Sequence, residues 1–373
     1  MTESRVRRPG KLGFGLMRLP KKGFSIDIGE TCEMVDRFLQ VGFDYFDTAL
    51  LYPGSEPAVK KALTDRIPRE RYRLATKLNA MIAPTEKAAK QQLTTSLERT
   101  GAGYFDYYLL HALMDINWRR YEKFHLWEFL SEQKALGRVR KIGFSFHAGP
   151  ELLDRLLTEH PEVDFVQLQI NYADWESPSV HARENYEVAR RHQKPVIVME
   201  PVKGGRLADP PAKVRNLLKA AHPNWSYASW AIRFAASLDG VETVLSGMSM
   251  AAQMEDNLSY MRDFQPLTPE ERAVLTEAQR LLGQEAGIPC TGCGYCISSC
   301  PKQIPIPELF AAANERLEHG REQAAREGYR TAVAGRGAAG DCIHCRKCEA
   351  ICPQHLPVTR YLQQSRELCR GER

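Results

Sequence analysis

Long apolar runs are missing from this chain. No stretch of eighteen apolar residues occurs in its 373, so no membrane-spanning helix is expected. The fingerprint GxGxxG after a first strand is also missing, which argues against an open, doubly wound dinucleotide-binding sheet. Basic residues exceed acidic ones only modestly, 51 against 46, and form no long runs, so no nucleic-acid partner is expected. The pair Arg7-Arg8 has no apolar segment behind it and reads as a solvated face rather than an export signal. Cytoplasm is the expected compartment.

Cysteine, by contrast, is plentiful and patterned. Four cysteines at C-x2-C-x2-C-x3-C-P occupy residues 290–301, and the same spacing returns at residues 342–353. Ten cysteines in a cytosolic chain are rarely disulfides. A structural zinc site uses two separated ligand pairs, whereas three cysteines within seven residues suit a corner of a four-iron cube. Cys290, Cys293, Cys296, Cys300, Cys342, Cys345, Cys348 and Cys352 are therefore expected to hold two [4Fe–4S] clusters. Each oxidised cluster with its thiolates carries about −2, which brings the formal net charge of +5 down to about +1. Cys32, in "TCEMVDRFLQ", reads as a small packing residue, and Cys369 as a stray exposed thiol without a role. His344 and His355, beside ligands, read as exposed polar residues.

From residue 11 to 283 short apolar segments alternate with amphipathic, helix-length ones. The strands expected are "KLGFGLM", "FDYFDTA", "YRLATKL", "DYYLLHA", "KIGFSF", "FVQLQIN", "PVIVMEP" and "VETVLSGM". Between them lie helices such as "GETCEMVDRFLQVG" and "TEKAAKQQLTTSLERTG", the second with a Thr-Glu start and an end near Gly101. Eight strands alternating with helices predict an α/β fold, a (β/α)8 TIM barrel over residues 1–283. Residues 284–373 read as a small, mainly helical iron–sulfur domain. In it "IPELFAAANERLEHGREQAAREGYRT" looks helical and "AGRGAAGD" a flexible turn. Asp47, Lys77, His111, Ser145 and Gln167 fall near strand ends, and a barrel of this kind carries its chemistry at the C-terminal ends of its strands. The loops around Met114 to Trp118 and Tyr172 to Trp175 are aromatic and shape the expected pocket.

Asp47 in "FDTA", Tyr52 in "LYPGSE", Lys77 in "LATKL" and His111 in "DYYLLHAL" stand in the chain order of the catalytic tetrad of the aldo-keto reductases, which the region resembles. "LGFGLMRLP", "GFSFH", "VQLQINY", "MEPVKGG" and "SGMSMAAQMEDNL" follow that family's order too, so the resemblance spans residues 9–283. It implies an NAD(P)-dependent oxidoreductase acting on a small carbonyl or alcohol. Tyr52 would be the general acid and base, Lys77 would lower its pKa, Asp47 would hold the lysine, and His111 would orient the carbonyl. Ser145 and Gln167 would hydrogen-bond the nicotinamide amide and Met199 would stack on its ring. Gly15 would lie near the ribose, and Gly247, Ser249, Gln253 and Asn257 would meet the adenosine end. Members that hold a 2′-phosphate usually place Arg or Lys there, where this chain has Gly247 and Gln253. Phe146 stands where an amide side chain is common.

The tail resembles two-cluster bacterial ferredoxins, with a helical insert more like the helical ferredoxin domains of respiratory subunits. The resemblance implies that each fourth cysteine serves the other cluster: Cys290, Cys293, Cys296 and Cys352 for one, Cys342, Cys345, Cys348 and Cys300 for the other. Hydride moves two electrons and clusters move one, so a link between them needs a converter. A flavin, here or on a redox partner, would serve. The alternative expectation is an electron-transfer protein whose barrel only binds a cofactor or partner.

Overall fold

In a computed structural model the chain is described over residues 10–284 and 287–369, so the Arg7-Arg8 pair lies outside the described residues. Eight parallel strands close a barrel: β1 (Leu12–Gly15), β2 (Tyr45–Asp47), β3 (Arg73–Leu78), β4 (Phe105–Leu113), β5 (Val139–Phe146), β6 (Phe165–Gln169), β7 (Val196–Met199) and β8 (Val241–Ser246). Each falls inside a segment read as a strand from sequence or within two residues of it. Most of their residues are buried, polar ones included, because a barrel strand is covered by helices outside and side chains inside. Tyr45, Ala75, Tyr107, Leu109, Phe165, Ile197 and Leu245 form one buried apolar cluster, with the Tyr45 and Tyr107 rings 4.8 Å apart. A two-residue hairpin, Lys21–Lys22 against Ser25–Ile26, was not expected; its exposed lysines give no strand signal.

Local chemistry sets the helix limits. Helix α1 (Ile28–Val41) starts where the Asp27 side chain accepts the Glu30 N–H, and buries Met34, Val35, Phe38 and Leu39 on one face. Helix α2 (Glu86–Thr100) starts at Thr85, whose hydroxyl accepts the Ala88 N–H, and stops at Gly101 with φ 65°. Helix α3 (Ala251–Met261) follows β8, and helix α4 (Pro269–Leu282) opens on a Thr268–Glu271 capping box.

The chain forms two compact units. One comprises residues up to Asn171, His181–Pro201 and Ser229–Leu267, and holds all eight strands. The other comprises Tyr172–Val180, Val202–Ala228 and everything from Thr268 on. Its tail packs helices α5 (Ile306–Leu317), α6 (Glu322–Val333) and α7 (Val358–Cys369) around Leu309, Phe310, Ala313, Ala325 and Leu362. Three expectations change here. The long helical insert is two helices, broken around Gly320. The "AGRGAAGD" segment is a hydrogen-bonded turn: Ala338 N–H donates to Asp341 at 2.8 Å, and Arg336 pairs with Glu308 at 3.0 Å. Cys369 is no exposed thiol; it is buried in the tail core, which also pushes its pKa up. Among the described residues no helix is long and apolar enough to cross a membrane.

Candidate active site and cysteine centres

Parallel strands bring their C-terminal ends to one rim, and the four tetrad residues meet there. Asp47 closes β2 and Lys77 is the penultimate residue of β3. Lys77 Nζ donates to Asp47 Oδ1 at 2.5 Å and to the Thr48 carbonyl at 2.8 Å, and both side chains are almost fully buried. Burial pushes the Asp47 carboxyl above its ordinary range and the Lys77 ammonium below its own, and the charge of each opposes the other's shift. The half-buried Tyr52 lies on the loop after β2, with Lys77 Nζ 5.0 Å from its ring centroid. Its backbone is held in a tight turn, accepting from Ser55 N–H and donating to the Ala49 carbonyl, both at 3.0 Å.

His111 meets Tyr52 edge to face, ring centroids 5.9 Å apart and 82° between planes. The β4–β5 register breaks between Leu110 and Leu113, and Ala112 in that break has φ 58°. An irregularity of this kind re-aims a side chain, here His111. Asn117 braces the break, its amide nitrogen donating to the Ala112 carbonyl and its oxygen accepting from Met114 N–H, both at 2.8 Å. The Tyr121 hydroxyl donates to the His111 carbonyl at 2.5 Å. Burial above all, then Lys77 and His147, holds His111 well below its ordinary pKa, so the ring is neutral at pH 7.

Ser145 and Gln167 are direct partners across β5 and β6. Ser145 Oγ accepts the Ala112 N–H at 2.7 Å, which leaves its hydroxyl hydrogen to donate. Gln167 Nε2 lies 3.5 Å from Asp47 Oδ2, while its buried Oε1 has no hydrogen-bond partner among the described residues. A buried amide oxygen left so is costly, and a carboxamide N–H of a nicotinamide is a fitting donor. Met199 ends β7 beside Gln169, partly exposed rather than packed in the core. Phe146 turns into the core against Phe144, ring centroids 6.0 Å apart.

At the β1 and β8 ends, Gly15 has the Ser246 carbonyl 3.4 Å from where a Cβ would stand, while Gly247 is open, the nearest atom 4.0 Å away. Ser249 N–H is taken by Gln253 at 2.7 Å. Asn257 is committed inside the protein: it donates to Ser246 at 2.7 Å and accepts from the Tyr260 hydroxyl at 2.5 Å. It anchors α3 to β8.

The eight motif cysteines gather into two cradles. Cys290, Cys293, Cys296 and Cys352 line one with Ile306, Phe310, Leu356 and Val358. Cys300, Cys342, Cys345 and Cys348 line the other with Lys302, Ile343 and Arg346. The fourth cysteine of each run thus joins the other run's first three. None forms a disulfide. Four thiols around each cradle fit a four-iron cluster held by four cysteines. Burial, then the neighbouring thiols of Cys293, Cys290 and Cys352, pushes the Cys296 thiol up, and ligation to iron would take the proton's place.

The model of the aldo/keto reductase family matches residues 11–280. The chain belongs to this family. A curated aldo-keto reductase of Mycolicibacterium paratuberculosis is 30% identical over 261 residues, 69% of this chain and 82% of that protein. Among solved structures, an aldo-keto reductase of Bacillus halodurans in its holo form is 26% identical, with TM-score 0.59, over 72% of this chain and 91% of that one. One from Klebsiella pneumoniae in complex with NADPH shares the fold at 20% identity, TM-score 0.59, over 73% of this chain and 90% of its own. Residues 289–356 match a 4Fe-4S dicluster domain. This aldo/keto reductase therefore carries an iron–sulfur module after its barrel.

Sequence reasoning passed over Thr48, Asn117 and Tyr121, which fix Lys77 and His111 through backbone and side-chain bonds. Asn117 sits in the "MDINW" stretch, where only the aromatics carried a signal. Glu56 was visible as the last letter of "LYPGSE"; it is buried, accepts from Thr76 at 2.9 Å, and its charge favours the ammonium of Lys77.

Proposed function

We propose that this aldo/keto reductase interconverts a small carbonyl compound and its alcohol with a nicotinamide cofactor, and that Tyr52 exchanges the proton. The observation that carries the reading is the buried Asp47–Lys77 pair beside the Tyr52 ring, with neutral His111 on the ring's edge. When bound, the nicotinamide supplies or takes the hydride. Ser145 and Gln167 would hold its carboxamide and Met199 would cover its ring, which sets which face meets the substrate. In reduction Tyr52 Oη gives its proton to the carbonyl oxygen, and the Lys77 ammonium stabilises the phenolate left behind. Asp47 keeps that ammonium charged and in place. His111, uncharged, donates a hydrogen bond to the same carbonyl oxygen without competing as an acid.

In this reading residues 1–283 work as the reductase and 284–373 as the iron–sulfur domain. Cys290, Cys293, Cys296 and Cys352 hold one four-iron cluster, and Cys300, Cys342, Cys345 and Cys348 the other. Thiolate-held clusters suit a reducing cytoplasm. The comparisons give no support for a flavin. The test is Tyr52→Phe. It keeps the ring and removes the proton, so kcat for carbonyl reduction should fall about 10²- to 10⁴-fold with nicotinamide binding unchanged. Full turnover by the variant would sink the assignment.

A further inference from the structure

The two cysteine runs share a spacing but not an environment. The first places no charged residue between its cysteines, while the second places Arg346, Lys347 and Glu349 there. The first cradle is walled by Ile306, Phe310, Leu356 and Val358, without a charged side chain. The second adds Lys302 and Arg346 to its wall. Exposure differs in the same sense. Cys345 is the one exposed cysteine of the eight, and Ile343 through Lys347 form an unbroken exposed stretch, with Ile343 57% exposed. His344 and Arg346 both take left-handed backbone, with φ 54° and 57°, so the chain bulges around Cys345. The Arg346 side chain is 77% exposed and stands a long 3.7 Å from the Glu349 carboxylate. Glu349 is itself engaged by the Thr359 N–H at 2.9 Å and hydroxyl at 2.7 Å.

We propose that the centre of Cys300, Cys342, Cys345 and Cys348 is the electron port of the protein, and that its Ile343–Lys347 edge, with Lys302, docks an acidic one-electron carrier protein. The proposal rests on the ligand assignment given above. An electron tunnels over short distances, so a partner must reach a cluster edge that side chains do not cover, and the Cys345 edge is that place. Lys302, Arg346 and Lys347 present three cations around one exposed isoleucine. A small apolar contact rimmed by charge is the form of a brief electron-transfer encounter. Cations on this side select an acidic partner and raise its association rate. In the step the carrier loses one electron and the cluster gains it; no bond forms or breaks and no proton is required.

The test uses the full-length, cluster-loaded protein under anaerobic conditions. A reduced plant-type ferredoxin with a strongly acidic surface serves as the carrier, and bleaching of the visible cluster absorbance is followed by stopped flow. The second-order rate should fall about tenfold or more between low and moderate salt, because screening removes the steering. Lys302→Glu with Arg346→Glu should lower it by a further factor of about 10 to 100 at low salt. Methyl viologen radical, itself a small cation that these two residues repel, should not reduce the double variant more slowly than wild type. A rate indifferent to salt, or unchanged in the double variant, overturns the proposal; the salt series needs no variant to fold. A protein that binds no iron removes the ligand assignment, and this proposal with it. One that binds both clusters and fails the salt series removes this proposal alone.

Discussion

His111 shows how burial decides the chemistry of a residue. The folded protein holds its imidazole well below the ordinary 6.5, because the site excludes water and Lys77 lies nearby. The unfolded chain takes up a proton there near pH 6.5 and the folded chain does not. The folded state therefore binds fewer protons, so this contribution to stability is whole above pH 6.5 and is lost as the pH falls toward the folded pKa. The loss is about 1.4 kcal/mol per pH unit over that window. Denaturation at pH 7.5 and 5.5 should show wild type losing more stability than His111→Gln, which has no such proton to take. The other titrating groups are common to both proteins and cancel in the difference. Equal losses would mean that His111 is protonated in the folded site.

At the scale of elements, the strands were legible because each is a short segment rich in Val, Ile, Leu or aromatic residues, or lies beside one. The tetrad was legible because three of its members lie on strands, where sequence position fixes which rim they reach. What was not legible was irregular. The break in β4 at His111 and Ala112 leaves no mark in "YLLHAL", since Ala112 at φ 58° is an ordinary alanine to any pattern. Asn257 carries a structural role that its segment did not announce. Beside the expected cofactor contact, its amide joins α3 to β8 through Ser246 and bonds Tyr260. Helix α3 also bears on the choice of cofactor. Its first N–H, at Ala251, donates to the carboxylate of Glu30 at 3.3 Å, so an acidic group already occupies the anion-favouring end of the helix. Gly247 and Gln253 supply no cation there. A 2′-phosphate would meet a carboxylate and no partner, so kcat/KM should be higher with NADH than with NADPH. Gln253→Arg should shift the ratio toward NADPH by about tenfold. A wild-type preference for NADPH would show that the phosphate is held elsewhere.

At the scale of the whole molecule, the cysteine spacing announced the second module, yet the membership of the second unit could not be read from it. Segments Tyr172–Val180 and Val202–Ala228 precede the tail by many residues and still belong to its compact unit. The reason lies in backbone packing that no side-chain pattern encodes. Gly204 sits at φ 67°, and a Cβ there would stand 2.2 Å from the Thr291 carbonyl oxygen, between Cys290 and Cys293. Lys203, beside it, forms a buried ion pair with Asp174 and so ties the two early segments together. Cluster ligation by Cys290 and Cys293 would fix the backbone around Thr291, and a metal site supplies folding free energy to whatever packs on it. Removing iron should therefore loosen more than the tail. Limited proteolysis of the full-length protein before and after iron removal should reveal new cuts within residues 202–228 as well as beyond 284, while the strands of the barrel stay protected. Gly204→Ala should reproduce part of the effect in the loaded protein and cost upwards of about 2 kcal/mol, since the left-handed backbone and the clash with Thr291 add. Cuts confined to residues beyond 284 after iron removal would show that the early segments hold their structure without the cluster.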